Sequence, residues 1–76
     1  MKELVEYLAK GLVDKPDEVR VERVERDGAL VLELHVAADD VGKVIGRQGR
    51  TARALRTIVR ASGARSNERA LLEIVG

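Results

Sequence analysis

Seventy-six residues, 45% of them hydrophobic, suffice for one small core and leave no room for a second core or for a cavity that holds a bulky cofactor. With a formal net charge of +1 and that apolar content, disorder is excluded, and no apolar run approaches the ~20 residues of a membrane helix. Zero Cys excludes a disulfide frame, a thiolate zinc site and a thiol nucleophile, and the early acids Glu3 and Glu6 speak against a secretion signal, so a cytoplasmic chain is expected.

Residues 2–13 have helical spacing, with Leu4, Val5, Leu8, Leu12 and Val13 apart from Lys2, Glu3, Glu6 and Lys10. Lys15-Pro16-Asp17 is expected to end this helix, because proline disfavours helical geometry in the residue before it. Residues 19–26 read as an edge strand, with a possible bulge where Val24 breaks the phase of Val19 and Val21. Asp27-Gly28 is a strong two-residue hairpin signal. After it Leu30, Leu32, Leu34 and Val36 alternate with Val31, Glu33 and His35, the clearest strand in the chain. Asp39 or Asp40 is expected to cap a short helix to about residue 45 that buries Val41, Val44 and Ile45. Gly46-Arg47-Gln48-Gly49 interrupts it, and a second helix is predicted from about 50 to 62, stopping at Gly63. Residues 63–68 read as a polar loop, and Ala70, Leu72 and Ile74 alternate along a last strand. The order α-β-β-α-α-β predicts an α+β fold with one three-stranded sheet and helices on one face, spanning 1–76 as a single domain.

The near-neutral total hides a division. Residues 1–40 carry six Lys/Arg and eleven Asp/Glu, a net of −5, while residues 41–76 carry eight and two, a net of +6. Between 43 and 60 there are six bases and no acid, a pattern that suits a polyanion or simply a solvated helix face. On a wheel of about 100° per residue, Arg53, Arg56 and Arg60 share a stripe opposite Leu55, Ile58 and Val59. Two glycines three apart allow a tight bend with no Cβ in the way, so bare backbone can approach a phosphate. The following helix offers unpaired N–H groups at the same place. Arg47 and Gln48, at the tip of the bend, add a cation and a neutral donor.

Val44-Ile45-Gly46-Arg47-Gln48-Gly49 resembles the Ile-Gly-x-x-Gly signature of KH domains, and the element order is similar to their type II arrangement. The opening helix, Asp27-Gly28 and the stretch Gly42 to Arg50 look like the small bacterial single-KH proteins of the KhpA type, over essentially the whole chain. The resemblance implies single-stranded RNA binding, with the loop clamping the backbone of about four nucleotides beside an aliphatic groove. By position it implies that Gly46, Arg47, Gln48 and Gly49 form the clamp, Ile45 walls the groove, Lys43 and Arg50 flank it and Arg53 extends the phosphate path. Arg65 and Asn67 would meet the strand's other edge. Where many KH domains carry a large aliphatic, this chain has Ala52, which implies a shallower base pocket. The resemblance further implies an RNA-chaperone role, self-association or pairing with a second KH-domain protein of the KhpB type, and a link to cell elongation and envelope growth.

Other readings fare worse. Tyr7 is the only aromatic, which argues against RNA modules built on stacking platforms. Gly49-Arg50-Thr51 fails as a phosphate-binding Walker motif, and glycines at 42, 46 and 49 have the wrong spacing for a dinucleotide fingerprint. His35, the only histidine, reads as structural, without the partners a metal site needs, so neither enzyme, metal, cofactor nor small-molecule substrate is expected. A DNA-binding helix-turn-helix is disfavoured by the strand hairpin directly before the helix pair. The runner-up is a protein-interaction module that uses the acid/base polarity to form homodimers or heterodimers and binds nucleic acid weakly.

Overall fold

The hairpin at Asp27-Gly28 sets the architecture. In the computed structural model, which describes residues 1–76, both turn residues have positive φ, 53° and 77°. That is the geometry of a two-residue turn whose twist matches its flanking strands. The turn joins β1 (Arg20–Arg26) to β2 (Ala29–His35) in an unbroken antiparallel register from Arg20↔His35 to Arg26↔Ala29. The bulge expected in β1 is therefore absent. Val24 falls out of phase with Val21 because the two serve opposite faces: Val21 pairs with Leu34 on the core side, Val24 with Val31 on the open side.

β3 (Ala70–Val75) lies parallel to β2 on its other side, giving the sheet order β1-β2-β3. A parallel neighbour demands a crossover, and α2 (Val41–Ile45) and α3 (Arg50–Arg65) supply it. With α1 (Lys2–Lys10) they cover one face. The core between comprises Val5 and Ala9 of α1, Val44 of α2, Leu55 and Val59 of α3, and the inward residues of the strands, with Leu32 and Leu34 fully buried. No helix is long and apolar enough to cross a membrane.

Several boundaries move from their predicted places. α1 ends at Lys10, not 13, because Gly11 follows, about 1 kcal/mol poorer than Ala in a helix, and its N–H closes the last turn onto Tyr7 and Leu8 carbonyls. Pro16 starts a short 3-10 turn, Pro16–Glu18, rather than ending α1. Asp40 sits at the start of α2 without a side-chain cap bond. Its buried carboxylate instead accepts the backbone N–H groups of Asp14 (3.3 Å) and Lys15 (3.1 Å), tying the segment after α1 to the entrance of α2.

α3 runs through Gly63 to Arg65. It closes with Glu68 N–H on Gly63 C=O (2.7 Å) and Asn67 N–H on Ala64 C=O (3.1 Å), with Asn67 left-handed at φ 56°. This paired bonding is a common helix terminus in which Asn takes the place usually held by Gly. Gly63 is thus not the stop. It is buried, and a Cβ there would lie 2.6 Å from the Glu68 carbonyl oxygen and 2.7 Å from the Ala70 Cβ, so glycine lets β3 begin directly against the helix. Gly63→Ala should therefore lower stability in urea denaturation by about 1–3 kcal/mol, although Ala is the better helix former. A gain in stability would show that the turn after α3 can yield.

Candidate nucleic-acid interface

α2 is only five residues long and ends where Gly46 turns away at φ 76°, ψ 173°. Arg47–Gly49 forms a 3-10 turn closed by Gly49 N–H on the Gly46 carbonyl at 3.1 Å. Gln48 (φ 57°) and Gly49 (φ 72°) are both left-handed, and α3 starts at once with Arg50. A left-handed non-glycine residue costs roughly 1–2 kcal/mol. At Gln48 the side-chain oxygen accepts a bond from the Arg50 guanidinium at 3.1 Å, which leaves the Gln48 amide N–H groups free.

The two glycines serve different needs. A Cβ on Gly46 would collide with the Thr51 hydroxyl and stand 2.8 Å from Thr51 Cβ, so the bend presses against the first turn of α3. Around Gly49 there is open space, and only its φ calls for glycine. No side-chain bond caps α3 at Gly49, and no acid stands in its first turn. Its leading N–H groups and positive dipole end thus have no side-chain acceptor, the arrangement that suits an anion.

The charged side chains divide along the same line. All eight bases of residues 41–76 are exposed. Of these only Lys43 joins an ion pair, with Asp14 at 3.2 Å. Four of the six bases of the first forty residues are paired: Lys10 with Glu6, Lys15 with Asp39, Arg20 with Glu22, and Arg26 with both Glu33 and Glu73. Apart from Lys2, Arg23, Arg65 and Arg69, the cations without carboxylate partners lie at the glycine bend and along the outer stripe of α3.

Arg47, Gln48 and Arg50 are exposed on the bend, and Arg53 follows one turn later on α3. Ile45 is 38% exposed beside a fully buried Val44, so it offers apolar surface next to the bend instead of filling the core as predicted for α2. Lys43 reaches away to Asp14, but a pair this exposed is weak and does not commit the ammonium. Ala52 is buried at 2% exposure in the packing surface of α3 and presents no apolar group outward. Asn67 has a backbone role, closing α3, and Arg65 is exposed in the last turn of that helix. Thr51, which presses on Gly46, and Asp14, which pairs with Lys43, are not legible as site residues, because no local pattern announces either contact.

On the open sheet face, ligand atoms of Glu22, Glu33 and His35 lie within 4.8 Å of one another. Arg20 and Arg26 already hold the two carboxylates, so this trio is part of a charged network across the strands. The bend itself yields a graded prediction. Gly49→Ala should cost about 1–2 kcal/mol in chemical denaturation from φ alone. Gly46→Ala should cost more, since it adds a collision with Thr51, and equal losses would contradict the packing described.

Comparison with known proteins agrees with this geometry. The family model described as KhpA/KhpB, KH domain, matches residues 2–74. The chain is 51% identical over 75 residues to the RNA-binding protein KhpA of Clostridium acetobutylicum, covering 99% of this chain and 100% of that protein. It is 51% identical over 75 residues to the RNA-binding protein KhpA of Aquifex aeolicus, covering 99% and 95%. It is likewise 51% identical over 73 residues to that of Borreliella burgdorferi, covering 96% and 89%. Among solved structures, a crystal structure of an Aquifex aeolicus Era variant bound to GDP·AlF4− superposes with a TM-score of 0.65 at 18% identity, over 96% of this chain and 28% of that one, which shows likeness of fold. A short helix, a glycine bend and an arginine-bearing helix laid on a β1-β2-β3 sheet, together with matches that run nearly end to end, show that this chain belongs to the KhpA/KhpB family of KH domains.

Proposed function

We propose that this chain is a single-stranded RNA-binding protein whose Gly46-Arg47-Gln48-Gly49 bend clamps the sugar–phosphate backbone. The observation that carries the reading is the uncapped start of α3 at Gly49, set among exposed arginines that have no carboxylate partner. A phosphate seated there accepts from backbone N–H groups, while Arg47, Arg50 and Arg53 supply charge-assisted donors and Lys43 can leave its exposed pair with Asp14. Bases rest against aliphatic surface at Ile45. Tyr7, the only aromatic, lies on α1 and gives the bend no stacking platform. Binding of this kind reads the backbone more than the bases, which suits an RNA chaperone or post-transcriptional regulator. Names of the relatives and membership of their family support the RNA reading.

The same proposal includes action in the cytoplasm, pairing with a second copy or with a second KH-domain protein of the KhpB type, and a contribution to cell elongation and envelope growth, on the strength of the family alone. One observation favours an interaction role alongside RNA binding: α1 leaves Leu4 at 44% and Tyr7 at 75% exposure, with Leu12 just beyond it at 41%. No catalytic step forms part of the reading.

Replacing Arg47 and Gln48 together by Asp should weaken binding of a short single-stranded RNA by about tenfold or more in fluorescence anisotropy, with the melting temperature unchanged. Unaltered affinity would rule out the clamp. For the unmodified protein, log K against log salt should fall with a slope of about −2 to −3, matching three to four phosphates on a single strand. A flat response would remove the basic surface from the contact.

A further inference from the structure

We propose that Glu22, Glu33 and His35, on the open face of the sheet, bind a divalent transition-metal cation of the zinc type, with water completing its shell. The site is independent of the clamp, since it lies on the face turned away from the core and its helices.

Partners that His35 lacks along the chain are supplied by the hairpin. Its unbroken register sets Glu22 of β1 directly opposite Glu33 of β2, and His35 follows two residues later on the same face of β2. Ligand atoms of the three lie within 4.8 Å of one another. Two of the three residues stand on the central strand of the sheet, so the donor set is held by paired strands and not by a loop.

The decisive atom is His35 Nε2. It is buried and has no hydrogen-bond partner, as in a group that a ligand completes. Glu33 Oε1 lies 3.4 Å from it, yet the two form no hydrogen bond. Two ligands of one tetrahedral zinc, each at about 2.0–2.1 Å, stand about 3.3–3.4 Å apart. Their lone pairs converge on the ion and not on each other, so such a contact has nearly the spacing of a hydrogen bond without its direction. Glu22 is exposed and closes the remaining distance by side-chain rotation.

Charge favours the same occupant. Glu73 of β3 stands opposite Glu33, so three carboxylates occupy one row across the sheet, and like charges directly opposite one another are unfavourable. Arg20 takes Oε1 of Glu22 at 2.9 Å and Arg26 takes Oε2 of Glu33 at 3.2 Å, which offsets most of this charge. Each carboxylate keeps its second oxygen for a metal while a guanidinium steadies it from outside, as outer partners steady the ligands of metal sites. An imidazole nitrogen in the donor set selects zinc and its first-row neighbours over magnesium and calcium, which prefer oxygen alone.

The test titrates zinc into the full chain, prepared without added histidines, at about pH 7.5, where protons do not compete for an imidazole. One zinc per chain should bind and raise the melting temperature. His35 is the only histidine, so its Nε2 signal in nitrogen NMR is unambiguous and should shift in step with the melting temperature. Glu22→Gln and His35→Gln should each weaken binding by about tenfold or more. Glu22 is exposed, so its variant keeps the fold. Glu25→Gln removes the same charge from the other face of β1 and should change binding by less than about twofold. Magnesium should bind at least about tenfold more weakly than zinc. No binding at millimolar zinc, an unmoved His35 signal, equal weakening by Glu25→Gln, or magnesium bound as tightly as zinc would each overturn the site, and none of these outcomes bears on the clamp.

Discussion

Two backbone contacts, one at each end of α3, fix that helix, and the placement of every basic side chain on it depends on them. At its start Gly46 lies so close to Thr51 that no methyl group fits between bend and helix. At its end Gly63 meets the Glu68 carbonyl and Ala70 with equally little room. Between these points Leu55 and Val59 are buried in the core, so the helix cannot roll about its axis without exposing them. Rigid packing of that kind tolerates little slippage. The arginine stripe is therefore held outward and in line with the bend, which turns a helix-wheel pattern into a surface of fixed geometry.

Charge segregation gives that surface its character. Carboxylates of the first half quench most of the cations near them, and Arg26 alone joins Glu33 and Glu73 across two strands. Pairs as exposed as these add little stability. Their effect is on the field: they neutralise the open sheet face and leave the net positive charge beside the bend and along α3, where it can steer a polyanion. The exception, Lys43 with Asp14, sits at the seam between the two halves. There the buried Asp40 carboxylate anchors the backbone of Asp14 and Lys15, so the acidic segment is held beside α2 by hydrogen bonds from its own main chain.

A core without Phe or Trp has a matching consequence at the surface. Aliphatic side chains supply what apolar contact the bend and the β3 edge offer, through Ile45 at one place and Leu71 at the other. The two sheet edges are treated differently as well. β1 alternates charges through Arg20, Glu22, Arg23 and Glu25, which guards an edge against pairing with another strand. β3 carries no such alternation and leaves Leu71 40% exposed, with Arg56, Arg60 and Arg69 bordering the same hollow.

Much of this was legible along the chain because the governing physics is local. Asp27-Gly28 announces a turn needing two positive φ angles, the alternation from Leu30 to Val36 announces a strand, and the glycine pair with its arginine-bearing helix announces a bend next to a basic stripe. Other features depended on partners distant in sequence. Gly63 reads as a helix stop, yet it is a packing contact with residues of the next strand. Asp40 reads as a cap, yet its carboxylate serves backbone 25 and 26 residues earlier. Val31 reads as solvent-facing, yet the flanking Val24 and Leu71 leave it 4% exposed. Likewise Arg56, Arg60 and Arg69 are scattered in sequence and become neighbours only when α3 docks beside β3. Backbone geometry and periodicity are properties of a few adjacent residues and can be read from them; which atoms then touch depends on how the elements pack, and only the assembled fold decides that.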